Sequence, residues 1–464
     1  MQTDIPNSDR TNRHHFSSLS IVFSLLVLIT LVAGCGQETS TLQEPILLSD
    51  DGGWCWFQDP RIVAHGDHIV LASVASGHIH PDRAGDVDAI IHTMSSGETE
   101  VVTLHDQLEA NDHATPAFLV RPDERWLAVY TQHHHDSLMY YRISEPGNPA
   151  AWGDEQTFVP SEETVITYSN PWMLESEDNR IYNFYRGLDN SFKPSWMWSD
   201  DLGESWESGS IFIDVPARFR HRPYVRYRSN GSDTIHMIYT EGHPRDYDNS
   251  VYHIYYRDGV LHQSDGTPVA SLSDGLERPE EGTLLYQGDA DHVAWTTDMV
   301  LDSREFPRIV FSVKVGSANA TPEENGMDQR YYYGRWNGEE WVVHEMAYAG
   351  TRLYRGEDEY TGLAAIDPKN PEVVYISTDA DPETGEPLIS DADGERHYEI
   401  FRGETTNGGE EWQWTALTAH SDRDNLRPVV ADGLENGTFL AWLRGEYRSY
   451  TDYSQEVVGI WADR

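Results

Sequence analysis

Four stretches of the sequence gather side chains able to move protons and hold anions. Asn111-Asp112-His113 precedes the run His133-His134-His135 by 20 residues, and an apolar, strand-like Trp126–Tyr130 leads into that run. If residues 116–120 and 126–130 pair as a hairpin turning near Arg121-Pro122-Asp123, both histidine stretches meet at its open end. Thr167-Tyr168-Ser169-Asn170 and Tyr182–Arg186 repeat the arrangement, with Tyr168 at one end of a strand pair and Arg186 adjacent to it. Residues 218–228 hold five of the chain's 33 Lys+Arg, a local positive island that includes Arg222 and Tyr224. Glu241-Gly242-His243-Pro244-Arg245 and His253 follow one strand later. Each stretch has an ordinary reading: a solvated histidine turn, a packing tyrosine, a basic strand facing acidic neighbours. Taken together, His, Tyr and Arg suit β-elimination from a uronic-acid polysaccharide. Arginine neutralises the carboxylate beside the acidic C5–H, a neutral His or a Tyr takes that proton, and a partner protonates the departing O4. No Ser-His-Asp order, P-loop or HExxH occurs, and no carboxylate pair is singled out by spacing for glycoside hydrolysis.

The elements that must position these groups are strands. Short β-branched and aromatic runs at 68–74, 126–130, 181–185, 251–256, 308–313, 330–336 and 372–377 alternate with turn clusters, the pattern of an all-β protein built from hairpins. Ser199-Asp200-Asp201-Leu202-Gly203-Glu204-Ser205-Trp206 and Thr405-Thr406-Asn407-Gly408-Gly409-Glu410-Glu411-Trp412 fit S/T-x-D/N-x-G-x-x-W, with a weaker echo at 334–341. The pattern resembles the Asp-box of sialidase-type β-propellers, a structural turn in which Asp or Asn bonds backbone N–H groups and Gly takes a positive φ. The two box tryptophans stand 206 residues apart (412 − 206). That spacing fits three blades of about 69 residues or four of about 52. At about 60 residues per blade the chain after its leader makes a seven-bladed β-propeller. Ligands then bind in the central canyon where loops of several blades converge.

Composition narrows the partners. With 33 Lys+Arg against 78 Asp+Glu the net charge is −45, which excludes nucleic-acid binding through a broad basic surface. An anionic substrate therefore needs a local basic pocket. Residues 1–34 read as a lipoprotein signal peptide: Arg10 and Arg13, an apolar run Leu19–Val32, then Ala33-Gly34-Cys35. Val32-Ala33-Gly34-Cys35 resembles a bacterial lipobox, which implies a lipid on Cys35, a tether over 35–46 and an outer-membrane location. Residues 47–464 form one propeller domain. The other cysteine is Cys55, so no internal disulfide forms once Cys35 is lipidated. In its aromatic setting Cys55 reads as a buried hydrophobe, with metal ligation as the alternative.

Longer motifs carry a family resemblance. Gly53-Trp54-Cys55-Trp56-Phe57-Gln58-Asp59-Pro60-Arg61, the Asp-His-x-x-Pro at 112–116, Arg222-Pro223-Tyr224, Gly242–Arg245, Asn249-Ser250-x-Tyr252-His253 and Tyr360–Pro368 resemble the BNR-4 repeat family over roughly 50–460. That family includes seven-bladed ulvan lyases of polysaccharide lyase families 24 and 25. The resemblance implies His113 as the main catalytic acid/base, His134 (or His133, the register being ambiguous) as the second histidine, Tyr168 as proton-transfer partner and Arg186 as the uronate neutraliser. Arg222 and Tyr224 compete for the last two roles. His133, Arg222, Tyr224 and Arg245 are the expected substrate-binding residues. The chemistry requires no cofactor. The resemblance further implies a structural divalent metal, zinc or calcium, for which His243 and His253, with Cys55, are the candidate ligands. The expectation is a monomeric lyase of ulvan, an anionic sulfated rhamnose–uronate polysaccharide. A hydrolase or lyase of another acidic glycan, or a non-catalytic glycan-binding lipoprotein, stands beside it.

Overall fold

The computed structural model describes residues 42–188, 192–214, 222–317 and 319–463. The leader, Cys35 and the first part of the tether lie outside these residues, as do Arg218, Arg220 and His221 of the basic island. Seven antiparallel sheets follow one another along the chain, at 62–105, 117–158, 167–211, 225–286, 292–350, 364–416 and 425–461, and form the blades of a seven-bladed β-propeller. The ring closes twice. Ile46–Ser49 joins the outer edge of the seventh blade, with Ile46 opposite Gly459 and Leu47 opposite Val458. On the inside, Val63 of the first blade bridges Asp432 after the innermost strand of the seventh.

All seven apolar runs picked out in the sequence are strands, each the second or third of its blade. A blade packs on a neighbour through both faces, so its middle strands read as continuous apolar stretches; Trp126–Thr131 and Val373–Thr378 are buried throughout. The core is correspondingly divided between blades: Phe184 of the third stacks on Tyr227 of the fourth at 4.6 Å.

Both Asp-boxes form the expected turns. Ser199 Oγ accepts from the Gly203 N–H (2.8 Å) and Asp201 Oδ1 from the Ser205 N–H (2.8 Å); Thr405 and Asn407 do the same for Gly409 and Glu411 (3.0 Å each). Gly203 and Gly409 sit at φ +89° and +97°. The box tryptophans pack on the preceding blade, Trp206 on Tyr141 and Trp412 on Tyr333.

The centre of the ring is plugged by residues 54–59. Three arginines hold the carbonyls of this segment: Arg427 donates to Trp54, Arg61 to Cys55 and Arg226 to Trp56. Asn170 accepts from the Asp59 N–H and donates to the Phe57 carbonyl, both at 3.0 Å. Trp56 and Phe57 wedge among Trp295, Tyr360, Tyr168 and Tyr224. The entry to the plug needs Gly53, where a Cβ would come within 2.6 Å of the Tyr453 ring. The plug forms the floor on which the polar groups above it are stacked.

Candidate active site

The two strand pairs proposed from sequence form as drawn. Ala117–Val120 pairs with Trp126–Thr131, bringing His113 and His133 face to face with ring centroids 4.0 Å apart. Thr167 lies opposite Arg186, and the inner strand bulges after Thr167 so that Tyr168 takes φ +66°. His134 likewise sits at φ +64°. Left-handed backbone at two non-glycine residues in one place is the kind of strain that accumulates at functional sites.

Arg186 organises the centre. It is 4 % exposed, and its guanidinium lies between the rings of Tyr168 (4.7 Å) and Tyr224 (4.5 Å). Its Nη2 donates to His134 Nε2 at 3.1 Å, while Nε and Nη1 are buried with no partner. Among the described residues no carboxylate comes within ion-pair distance of it. The pairs Tyr168/Arg186 and Tyr224/Arg222, which compete in the sequence reading, therefore belong to one cluster. They differ in depth: Tyr224 lines the cleft, whereas Tyr168 lies beneath it against Phe57. Burial drives the Tyr168 phenol well above its ordinary value. Burial acts on Tyr224 in the same sense, but Arg186 and then Arg222 outweigh it and bring that phenol below its ordinary value.

The histidines divide as sharply. His113 Nδ1 lies 3.1 Å from Asn111 Oδ1 with hydrogen-bond geometry and 2.6 Å from Asp112 Oδ1, a charge contact without alignment. Burial opposes charge on His113, yet the adjacent Cys55 and Asp112 outweigh it and push the imidazole up to about 10. Asp112 is itself braced by Arg427 (2.5 Å) and Tyr447 (2.7 Å). Burial, then the neighbouring His113, drives His133 well down; burial, then Arg186, does the same to His134. Asn111 donates to His133 Nδ1 (3.1 Å), so both neutral histidines accept at one ring nitrogen.

The resulting cleft has a volume of about 180 Å³. Arg222 lines it, whereas Arg226 is drawn under the plug to Asp59 and Asp298, and Arg228 pairs with Asp432 at 2.7 Å. The basic island is thus not one patch: within the described part, Arg222 alone faces the cleft. Arg245 reaches it but is engaged by Glu357 (2.5 Å). Glu357, Tyr360 and Tyr450 also line the cleft and were not singled out by sequence. Tyr450 tips a long hairpin, its ring edge-on to His113 and His133.

The candidate metal ligands do not come together. His243 lines the cleft beside Glu357, but His253 lies within the fourth blade, one ring nitrogen on His236 (3.0 Å) and the other on Ser264 (2.8 Å). The one close group of metal-type donors among the described residues is Cys55, Asp112 and His113, within 4.8 Å of one another. It does not suit a resident cation, because Arg427 already occupies the Asp112 carboxylate.

Residues 82–349, more than half of the chain, match the BNR repeat-containing family. The chain belongs to that family. No curated protein matches it. Among solved structures it is similar to a PL25 ulvan lyase bound to -[GlcA(1-4)Rha3S]-, with a TM-score of 0.65, 13% identity and coverage of 89% of this chain and 95% of that one. A second structure of a PL25 ulvan lyase gives 0.64 over the same coverage, again at 13% identity. These likenesses establish the shared propeller fold. A Fusarium graminearum α-L-arabinofuranosidase is more distant, at a TM-score of 0.41, 9% identity and coverage of 75% and 92%.

Proposed function

We propose that this BNR-family propeller is a polysaccharide lyase that cleaves ulvan by β-elimination at the uronate. The observation that carries the reading is Arg186, a buried guanidinium with two unpartnered N–H groups and no carboxylate beside it. Such a group is costly in a folded protein unless it meets an anion in function. The uronate carboxylate docks on Arg186, with Arg222 as a second cation, and charge building at C5 is stabilised as it forms. The Tyr224 phenolate takes the C5 proton. The C5–H electron pair becomes the C4=C5 double bond, the C4–O4 bond breaks, and O4 leaves with its electrons and takes a proton from His113 Nε2. No water is consumed; the products are an unsaturated uronate and a chain end with a new hydroxyl. His133 and His134 stay neutral and orient the acid and the arginine, and Tyr168 supports the guanidinium from below. This assigns the base to Tyr224 instead of Tyr168, because Tyr224 faces the cleft and has the lowered phenol.

The fold shared with a PL25 ulvan lyase supports the same reaction class. Glycoside hydrolysis by a pair of carboxylates is less well served, since among the described residues Glu357 is the sole carboxylate lining the cleft. The lipobox places the enzyme on the cell envelope through Cys35, which the mass of the mature N-terminus would test. The functional test is ultraviolet absorbance over time for residues 36–464 with ulvan, beside Tyr224→Phe and His113→Ala. Absorbance from unsaturated uronate should rise, and each variant should lose about 10²–10⁴-fold. No absorbance and no new reducing ends would end the lyase reading.

A further inference from the structure

The cleft is electrically one-sided. At one end Arg186 and Arg222 carry positive charge with no carboxylate partner, and Arg222 Nε is also buried and unpaired. At the other end Glu357 cancels Arg245 through Oε1 (2.5 Å) and turns Oε2 toward His243 Nε2 at 3.5 Å. That second oxygen is buried and makes no hydrogen bond. His243 cannot supply a compensating charge, because burial and then Arg245 hold it well below its ordinary value. An ionised carboxylate only accepts hydrogen bonds, and so does a sulfate ester. Placed together they leave both sets of oxygens unsatisfied and repel. A sugar hydroxyl meets the same oxygen as a donor.

We propose that Glu357 sets the sulfation preference of the cleft: it accepts a hydroxyl from the sugar beside the uronate at the Arg245 end and excludes a sulfate there. The inference rests on the cleft being the saccharide site proposed above. It narrows the substrate class to uronate polysaccharides that are unsulfated on the sugar occupying that end. Arg245, expected from sequence to bind substrate, becomes the residue that holds Glu357 in place.

The test compares ulvan oligosaccharides with the same oligosaccharides after chemical desulfation, on the wild-type protein and on Glu357→Gln. Binding is read by titration calorimetry and cleavage by ultraviolet absorbance. Glutamine keeps the shape, can donate as well as accept, and frees Arg245. The wild type should bind and cleave the desulfated form at least tenfold better. Glu357→Gln should shift the ratio at least fivefold toward the sulfated form. A wild type that prefers sulfated oligosaccharides, or a ratio unmoved in Glu357→Gln, overturns the proposal while leaving the lyase reading intact. If neither form is cleaved but the binding ratio and its shift appear, the lyase reading fails and the Glu357 proposal stands.

Discussion

Replacing Arg186 by glutamine separates function from stability at the centre of the site. The arginine makes two cation–π contacts, each worth about 0.5–2 kcal/mol, and one hydrogen bond to His134. Against these stands the burial of an uncompensated charge, a penalty of several kcal/mol. The two sides offset each other, so Arg186→Gln should melt within a few degrees of wild type or above it. Catalysis has no such compensation. Losing the group that meets developing negative charge costs about 3–4 kcal/mol, or about 10²–10³ in kcat/KM. A second signature follows from the geometry. Arg186 is the larger of the two cations holding the Tyr224 phenol down, so its removal should move the ascending limb of the pH–rate profile to higher pH. Ultraviolet absorbance of unsaturated uronate gives rates across pH, and denaturant titration gives stability. A loss under tenfold, or a loss of activity that tracks unfolding, would refute the assignment of Arg186 as the anion receptor.

Three further outcomes are expected. In the wild type, kcat/KM should rise as Tyr224 ionises and fall as His113 loses its proton near pH 10, placing the optimum on the alkaline side of neutrality; a rise complete by pH 7 with no alkaline descent would move the base to a neutral histidine. Asp201→Ala removes acceptors for the Ser205 N–H and hydroxyl (2.8 and 2.6 Å), and should lower stability by about 1–3 kcal/mol by denaturant titration while leaving kcat unchanged. Burial holds His236 down to about 3 and His253 well down, so the unfolded chain takes up protons on these residues that the folded protein does not. Their effect is absent above about pH 6.5 and costs up to about 1.4 kcal/mol per residue for each pH unit below it. His236→Gln should therefore lose less stability than wild type between pH 7 and pH 5; equal losses would show that the pair does not titrate on unfolding.

What the sequence made legible follows from where each residue sits in a blade. Middle strands are buried on both faces, so Trp126–Thr131 and Val373–Thr378 stand out as apolar runs; inner and outer strands such as Ile62–His65 and Gln413–Ala416 are short or mixed and leave no such trace. Hairpin logic sufficed to bring His113 to His133 and Tyr168 to Arg186, because those contacts are set by register within one blade. It did not reach contacts between distant blades. Glu357 stands in Gly356-Glu357-Asp358-Glu359, which by composition is a solvated acidic loop, and only closure of the ring sets it against Arg245, 112 residues away. Tyr450 is hidden in the same way, since its role depends on a hairpin reaching back to His113. The basic island misled for a related reason. Arg222, Arg226 and Arg228 lie on and just before one inner strand that runs from the cleft toward the opposite face, so residues close in sequence serve different levels of the channel.

The arginines of the central channel also show how a protein of net charge −45 builds an anion site. Arg61, Arg226 and Arg427 each bind a backbone carbonyl of the plug and a carboxylate, respectively Asp59, Asp59 with Asp298, and Asp112. Their charge is spent within the fold and contributes little field outside it. Arg186 stands on the same floor and is as deeply buried, but the residues around it are tyrosines and neutral histidines. Aromatic faces hold a guanidinium flat without cancelling it, so the positive potential survives at the one level of the channel that opens to the cleft. The acidic exterior then hinders approach of a polyanion only through the screened far field, about one Debye length (~8–10 Å) in physiological salt. Within the cleft the anion meets cations whose other neighbours are uncharged. Whether an arginine in this channel serves structure or substrate is therefore decided by its partner: those with a carboxylate hold the plug, and the one without receives the uronate.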